Sequence, residues 1–519
     1  MSKLSRGFMA VAAVVLLASC NGWLNVTPEN AISDKDLFST GFGCRNALNG
    51  IYANLAGDEL YGRELTWGFL SAVSQQYNQK TRTESPLYAD AAALVYNSVE
   101  TEPVVTAIWE KGYRVIANLN KLIEHVVKAD SRLFEYGEEE KNLIYAEALA
   151  LRGMMHFDLL RLFAPAPVTN PSGGYLPYRD SYQDNIAGKI GVEEFIEKVL
   201  KDLIAAEEIL RRFDTEIHPK AMYASNMYQP TAEWNARYRF YSSMYVDEMG
   251  IFFWSRGLRL NYMALLGLQA RVCLYAGPRF YQNAKMAATE LYDRFYKEKG
   301  WVGFTSEGNI TCNLDSRYTK VSHDVLFGLY KKQLAADYES SVWRTSGASG
   351  TTRLPLANVR TLFASDKTGV YTDYRLDFLL GTTNETRSKY YSLKYNPSIE
   401  ATVSGMENPM IPVIRFGEVC HILAEICCHE GKINEGIAYL EIVRRARGAA
   451  RSLSLTVKTR EELMEEILLD IRKEMLAEGG TFYAYKRLNL PHVPGSDEEG
   501  EVRMSGAYVL PIPSSETLN

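Results

Sequence analysis

The sequence predicts a mainly α-helical protein: tetratricopeptide-like helix pairs forming a scaffold, with long irregular loops and a few short strands. Three observations predict it. Apolar residues recur at spacings of three and four through many separate stretches, the period of an amphipathic helix. Short breaks that carry Gly or a capping residue separate some of these stretches, and helices joined so closely must pack antiparallel. The segments between the remaining stretches are long and rich in Tyr, Trp, Asn, Gly and Ser.

Along the chain, residues 39–57 place Cys44, Leu48, Ile51 and Leu55 on one stripe, with Ser39 or Thr40 able to cap the start and Gly57 the end. Trp109, Tyr113, Ile116, Asn120, Ile123 and Val127 form a second stripe. Residues 139–163 are apolar almost all round, which predicts a central, buried helix ended by Pro165 and Pro167. Within it Arg152, Arg161, Glu147 and Asp158 call for pairing with opposite charges, because a buried arginine needs a carboxylate or several carbonyls. Residues 193–212 set Phe195, Ile196, Val199, Leu200, Leu203 and Leu210 against a charged face, and residues 259–276 end at Gly277-Pro278. A helix from Arg415 to Glu430 breaks at Gly431, and Asn434 is expected to cap the next, which runs to about Arg447. Thr459 and Glu462 have the spacing of a capping box ahead of Leu463, Ile467, Ile471 and Met475. Val325–Tyr330 and Val509–Ile512 are candidate strands. Residues 58–101, 164–190, 213–256, 300–358 and 364–412 remain as loops. Loops of such length are uncommon unless they serve a function.

The first twenty residues, MSKLSRGFMAVAAVVLLASC, combine Lys3 and Arg6 with the apolar run Phe8–Leu17 and the small residues Ala18 and Ser19. That is the order of a secretory signal peptide, and the run is too short to span a bilayer. Leu17-Ala18-Ser19-Cys20 resembles the bacterial lipobox. It implies removal of residues 1–19 and lipidation of Cys20, with two or more acyl chains needed for a stable anchor. Residues 20–519 are then expected to form one helical domain, with an N-terminal part over 20–215 and a C-terminal part over 259–519. The other six cysteines have no even framework spacing, and a domain of this size needs no disulfide.

Charge excludes one class of partner. The chain has 57 basic and 63 acidic residues, a net −6, so nothing in its balance attracts a polyphosphate backbone and nucleic acid is not expected. Tyrosine is abundant, at 33 against 20 Phe. Two readings of that excess stand: aromatic faces with one wet edge, as on binding surfaces, or tyrosines at the boundary of a large helical core.

The segments YRVIANLNKLIE (113–124), AEALALRGMMHFDLLRLFAPAPV (146–168), RLNYMALLGLQARVCLYAG (259–277), IPVIRFGEVCHILAE (411–425), IRKEMLAEGGTFYAYKRL (471–488) and the closing VLPIPSSETLN together resemble the SusD/RagB family of outer-membrane nutrient-binding lipoproteins. They run in family order over nearly all of the mature chain. Gly480-Thr481, Tyr485, Cys420 and His421 depart from the usual residues, and NGWLNVTPE after Cys20 lacks the acidic cluster that often accompanies export to the outer face. The resemblance implies a lipid-anchored receptor facing the cell exterior. Such a receptor sits over a TonB-dependent outer-membrane barrel, binds an oligosaccharide or, in some members, peptides, and catalyses nothing.

The candidate ligand platform is an aromatic cradle formed by loops 61–101 and 222–254, with a contribution from near Trp343. Its stacking residues would be Trp67, Tyr77, Tyr88, Trp234, Tyr238 and Trp343, because sugar rings expose C–H faces that lie against indole and phenol. The competing reading is that these residues pack the loops onto the scaffold. His421, Glu425 and His429 recur at every fourth position of one helix, a spacing able to hold a divalent metal. The plainer reading is a polar face between helices, and no metal or cofactor is expected. No phosphate-cradling glycine loop, nucleophile elbow or βα alternation is present. A protein-binding helical scaffold without a small ligand, and a secreted glycan-cleaving enzyme, are the rival classes.

Overall fold

The computed structural model describes residues 34–78, 85–182, 188–222, 256–346, 349–352, 354–364, 373–382, 389–396, 404–405, 407–449, 452–496 and 500–516. Cys20, Trp234 and Tyr238 lie outside them. Helix α1 (Gly41–Leu55) is capped by the Thr40 hydroxyl, which accepts from the Gly43 amide at 3.1 Å, and it buries Cys44, Leu48, Ile51 and Leu55. Helices α2 (Glu102–Lys128) and α3 (Gly137–Phe163) form a long pair. In α2 the buried residue of the last turn is Val126; Val127, expected on the stripe, is 55% exposed. At 3.6 residues per turn Val127 lies five turns beyond Trp109 on the same face, so its exposure marks where the cover on that face ends. Helix α3 is buried along nearly its whole length, packed by α2 on one side and α4 (Val192–Arg212) on another.

The remaining scaffold continues by neighbour packing. Helix α5 (Tyr262–Ala276) lies against α4 and against α6 (Tyr281–Glu290), and α6 leads to α7 (Phe416–His429). Helices α7 and α8 (Ile433–Ala446) are a tight pair, and α9 (Arg460–Glu474) closes on both. Their own small core comprises Ala424, Cys428, Ile437, Leu440, Leu453, Leu463 and Ile467. The turn between α7 and α8 takes Gly431 at φ +74°, a conformation a Cβ would disfavour. Lys432, not Asn434, occupies the cap position of α8 and supplies no side-chain bond; Asn434 sits inside the first turn, where its amide cannot reach the free N–H groups. Thr459 and Glu462 do form the capping box of α9. Helix α10 (Gly480–Arg487) follows.

Strands are few. β1 (Val325–Tyr330) pairs antiparallel with β2 (Met410–Arg415), which runs directly into α7. Two short hairpins, Trp343–Ser346 with Ser349–Thr352 and Leu380–Thr382 with Tyr390–Ser392, decorate the scaffold. Residues Val509–Ile512 are not a strand. Pro511 and Pro513 remove alternate donors from any ladder, and the Leu510 amide instead donates to the Leu162 carbonyl of α3 at 3.0 Å. The main hydrophobic core runs from Cys44 to Leu510 without a break. No helix among the described residues is long and apolar enough to cross a membrane.

Candidate functional site

Residues 57–78 make no regular helix until Phe69, yet they are buried. Successive turns satisfy their own backbone: Gly62 donates to Gly57, Leu65 to Leu60 and Gly68 to Arg63. A loop that pairs its own amides can be covered at little cost. That is why Trp67 and Tyr77 are not stacking residues on a surface; Tyr88 is buried instead by the short helix Pro86–Ala92, which packs on Phe69–Val73. Trp67 is fully buried, edge-on to Tyr338 at 5.2 Å. The Tyr77 hydroxyl donates to the Trp67 carbonyl, and Tyr88 lies 6.4 Å from Tyr77, ring to ring. All three belong to the main core.

The segments themselves do meet. Tyr77 bridges to Leu356, and Leu356 bridges in turn to Tyr390. The Asn78 amide donates to the Pro355 carbonyl at 2.7 Å, and the Ala357 amide to the Gln76 carbonyl at 2.8 Å. The chain from 354 to 357 follows the hairpin that begins at Trp343. Backbone from 76–78, from beyond the Trp343 hairpin and from 390–392 therefore forms one small layer. On it Tyr390 and Tyr391 are half-buried. The Tyr391 ring covers Gly381 on the paired strand so closely that a Cβ there would strike it. The signal for this pair in the sequence is the Tyr-Tyr step itself, since adjacent residues of a short strand send their rings to opposite faces.

The motif residues have a different fate. Arg415 forks onto Glu478 at 2.6 Å, and Lys394 holds the same carboxylate at 2.6 Å. Arg271 forks onto Glu418 at 2.6 Å, and Arg487 onto Glu425. Arg161 meets Asp158, and Arg152 meets Asp202 at 2.6 Å with Asn120 at 2.9 Å. Glu147 receives Arg256 at 2.6 Å and Arg259 at 3.0 Å. Burial alone would push the Glu478 and Glu425 carboxyls up; Arg415 with Lys394, and Arg487, hold them below the ordinary range instead. Gly479 follows at φ +72°, with a Cβ position 2.1 Å from the Leu65 carbonyl, so the Glu-Gly step fixes both an ion pair and a close backbone approach.

In the polar set on α7, Glu425 and His429 meet at 3.4 Å, and each member also has a partner on another helix. His421 pairs with Asp470 at 2.8 Å, Glu425 with Arg487, and His429 stacks on Tyr281 at 4.8 Å. Their placement is that of a face between helices, and no cluster able to hold a metal is found among the described residues.

A family model described as starch-binding and associating with the outer membrane matches residues 23–245, and the SusD family model matches residues 377–508. The chain belongs to the SusD/RagB family. SusD-like protein P38 of Formosa agariphila is 22% identical over 94% of this chain and 92% of its own length. A SusD superfamily protein of Bacteroides thetaiotaomicron superposes with TM-score 0.63 at 23% identity, covering 92% of this chain and 97% of that one. A putative sugar-binding protein of Bacteroides vulgatus gives 0.64 at 20%, covering 92% and 96%. As a SusD-family protein the chain has a nutrient-binding role, is associated with the outer membrane and is not an enzyme.

Proposed function

We propose that the mature protein is a cell-surface lipoprotein, anchored through Cys20, that captures a glycan and delivers it to a TonB-dependent outer-membrane barrel. The observation that carries this reading is the division of labour within the chain. The family's motif residues are consumed in buried ion pairs, so the scaffold is rigid and ligand contacts fall to the loops. Aromatic residues lie on these loops: Tyr390 and Tyr391 beside the layer at 76–78, and by sequence Trp343, Trp234 and Tyr238. The signal-peptide order ending at Cys20 supports the anchor, and the barrel partner rests on family membership.

Tryptophan fluorescence of the purified mature chain against a panel of oligosaccharides, with reducing-end release followed in parallel, tests the reading. Saturable quenching by one glycan without release of ends is expected. Release of ends, or no response to any glycan while peptides quench, would overturn the choice of ligand. Cys20→Ala is expected to move the protein from the membrane pellet to the soluble fraction. Affinity purification from native membranes in mild detergent is expected to bring down a barrel protein.

A further inference from the structure

Helices α3, α5, α7, α9 and α10 do not close completely on one another, and with the loop at Tyr61 they leave a cavity of about 120 Å³. The guanidinium groups of Arg161, Arg271, Arg415 and Arg487 reach its wall. Among the described residues only three carboxylates do so, those of Glu418, Glu425 and Glu478. Asp158, the partner of Arg161, lies outside that wall, and its other oxygen accepts from the Tyr61 hydroxyl.

These ion pairs do not use every donor. Arg271 donates from Nε and Nη2 to Glu418 and the Val413 carbonyl, and Arg161 donates from Nη2 to Asp158. Arg271 Nη1 and Arg161 Nη1 are left with no acceptor among the described residues. Arg161 Nε is unmet as well, but it is sealed from any water-sized space, whereas neither Nη1 is. Arg161 is only 5% exposed, so the space on which its Nη1 opens is the cavity. The Tyr483 hydroxyl, in the same wall, is likewise open and without a partner among the described residues. A guanidinium can only donate. Leaving such a buried donor unmet costs on the order of 1–3 kcal/mol. The local potential is also positive. Arg161 and Arg271 are near enough to repel each other. Lys486, a neighbour of Arg161, is held by the Leu162 and Tyr508 carbonyls and has no carboxylate among the described residues. Burial first, and then the Arg161 charge, holds its amine well below the ordinary range.

We propose that this cavity is a second binding site, which takes a small organic monocarboxylate of the size of acetate or little larger. One carboxylate supplies two acceptor oxygens, as two guanidinium edges require, and the Tyr483 hydroxyl can add a further bond to it. Its single negative charge also brings the four cations and three anions of the wall into balance. A cation would meet four arginines. A neutral polyol would offer acceptors and leave the excess charge unmatched. A cavity of roughly 150 Å³ takes up benzene, so this space has room for an ion of about four to six heavy atoms. The donors are held in place. The Arg161 guanidinium has its centre 3.6 Å from the Tyr483 ring centroid, and Arg271 is fixed by its fork onto Glu418. The site is separate from the loop layer, and its occupancy does not depend on the glycan-capture reading.

Sodium acetate is the probe, titrated calorimetrically into the mature chain in a buffer free of other carboxylates. Saturable binding is expected. Tyr483→Phe keeps the ring beside Arg161 and removes one donor, so it should weaken acetate about tenfold, the loss of one hydrogen bond to a charged group. Ala484 lines the cavity and makes no ion pair. Ala484→Asp builds a carboxylate into the wall; it should abolish acetate binding while the melting temperature holds or rises. Sodium chloride and glycerol, titrated in the same way, should bind more weakly than acetate by about tenfold or more. Absence of saturable acetate binding, unchanged affinity in Tyr483→Phe and Ala484→Asp, or chloride or glycerol binding as tightly as acetate would overturn the proposal.

Discussion

At the scale of single residues, the deciding variable is what an aromatic side chain has around it, and composition does not report that. Trp67, Tyr77 and Tyr88 sit in a polar, glycine-rich stretch that reads as an exposed loop. For Trp67 and Tyr77 burial follows from the turn-by-turn backbone bonding of residues 57–76, which has no apolar period to betray it, and Tyr88 is carried in by the short helix Pro86–Ala92. Trp67→Ala is therefore expected to cost about 3–5 kcal/mol of stability, as a truncated core aromatic does, and urea denaturation measures it. Trp343→Ala is expected to weaken binding of the captured glycan by roughly 2 kcal/mol, some thirtyfold, with stability largely retained. A parallel loss of stability in both variants would place Trp343 in the scaffold as well. Charged residues were more legible. Arg152, Arg161, Glu147 and Asp158 interrupt an apolar helix, and each has found an opposite charge. Arg161 and Asp158 pair with each other within the helix, whereas Asp202, the partner of Arg152, and Arg256 and Arg259, the partners of Glu147, lie far off in sequence and carry no local signal.

At the scale of elements, helices announce themselves by period and caps, so α1, α3, α4, α5, α7 and α9 were legible to within a few residues. The cap of α9 is an example. Thr459→Ala removes the hydroxyl that accepts from the Glu462 amide, and a loss of about 1 kcal/mol is expected. What period cannot show is charge delivered from elsewhere. Asp470 and Glu474 of α9 are buried, which would raise their pKa. Arg375 at 2.9 and 3.0 Å, with Arg447 at 2.8 Å from Glu474, drives both well below the ordinary range. Carboxyls depressed in the folded state bind fewer protons than in the unfolded chain once the pH falls to the unfolded values, about 4. Their stabilisation is complete above that and is lost as the pH drops further. Melting temperature is expected to hold from pH 7 to about 5 and to fall steeply below about 4.5. The pair Asp470→Asn and Glu474→Gln should lower stability at pH 7 and flatten that fall; an unaltered slope would assign acid lability to other carboxylates.

At the scale of the whole molecule, the two ends of the chain are bound into each other. The Gln76 side chain reaches the Ala477 amide, the Met475 carbonyl and Thr481, and the Tyr96 hydroxyl donates to the Ala507 carbonyl. None of this is visible in sequence, because contacts between distant segments leave no spacing to read. Deleting residues from Thr459 onward is expected to abolish cooperative unfolding, since α9 completes the small core of α7 and α8 and α10 completes the main core begun by α1 and α3; a truncated chain that melted like the parent would contradict this. The tail has one more consequence, in time. Helix α3 ends with the Leu162 carbonyl outside the helical ladder, and that oxygen is met by the Leu510 amide at 3.0 Å and by the Lys486 ammonium at 3.4 Å, itself held by the Tyr508 carbonyl. A ribosome making this protein lays down the lock some 350 residues before the key. Until Leu510 is made, the end of this buried helix lacks that partner.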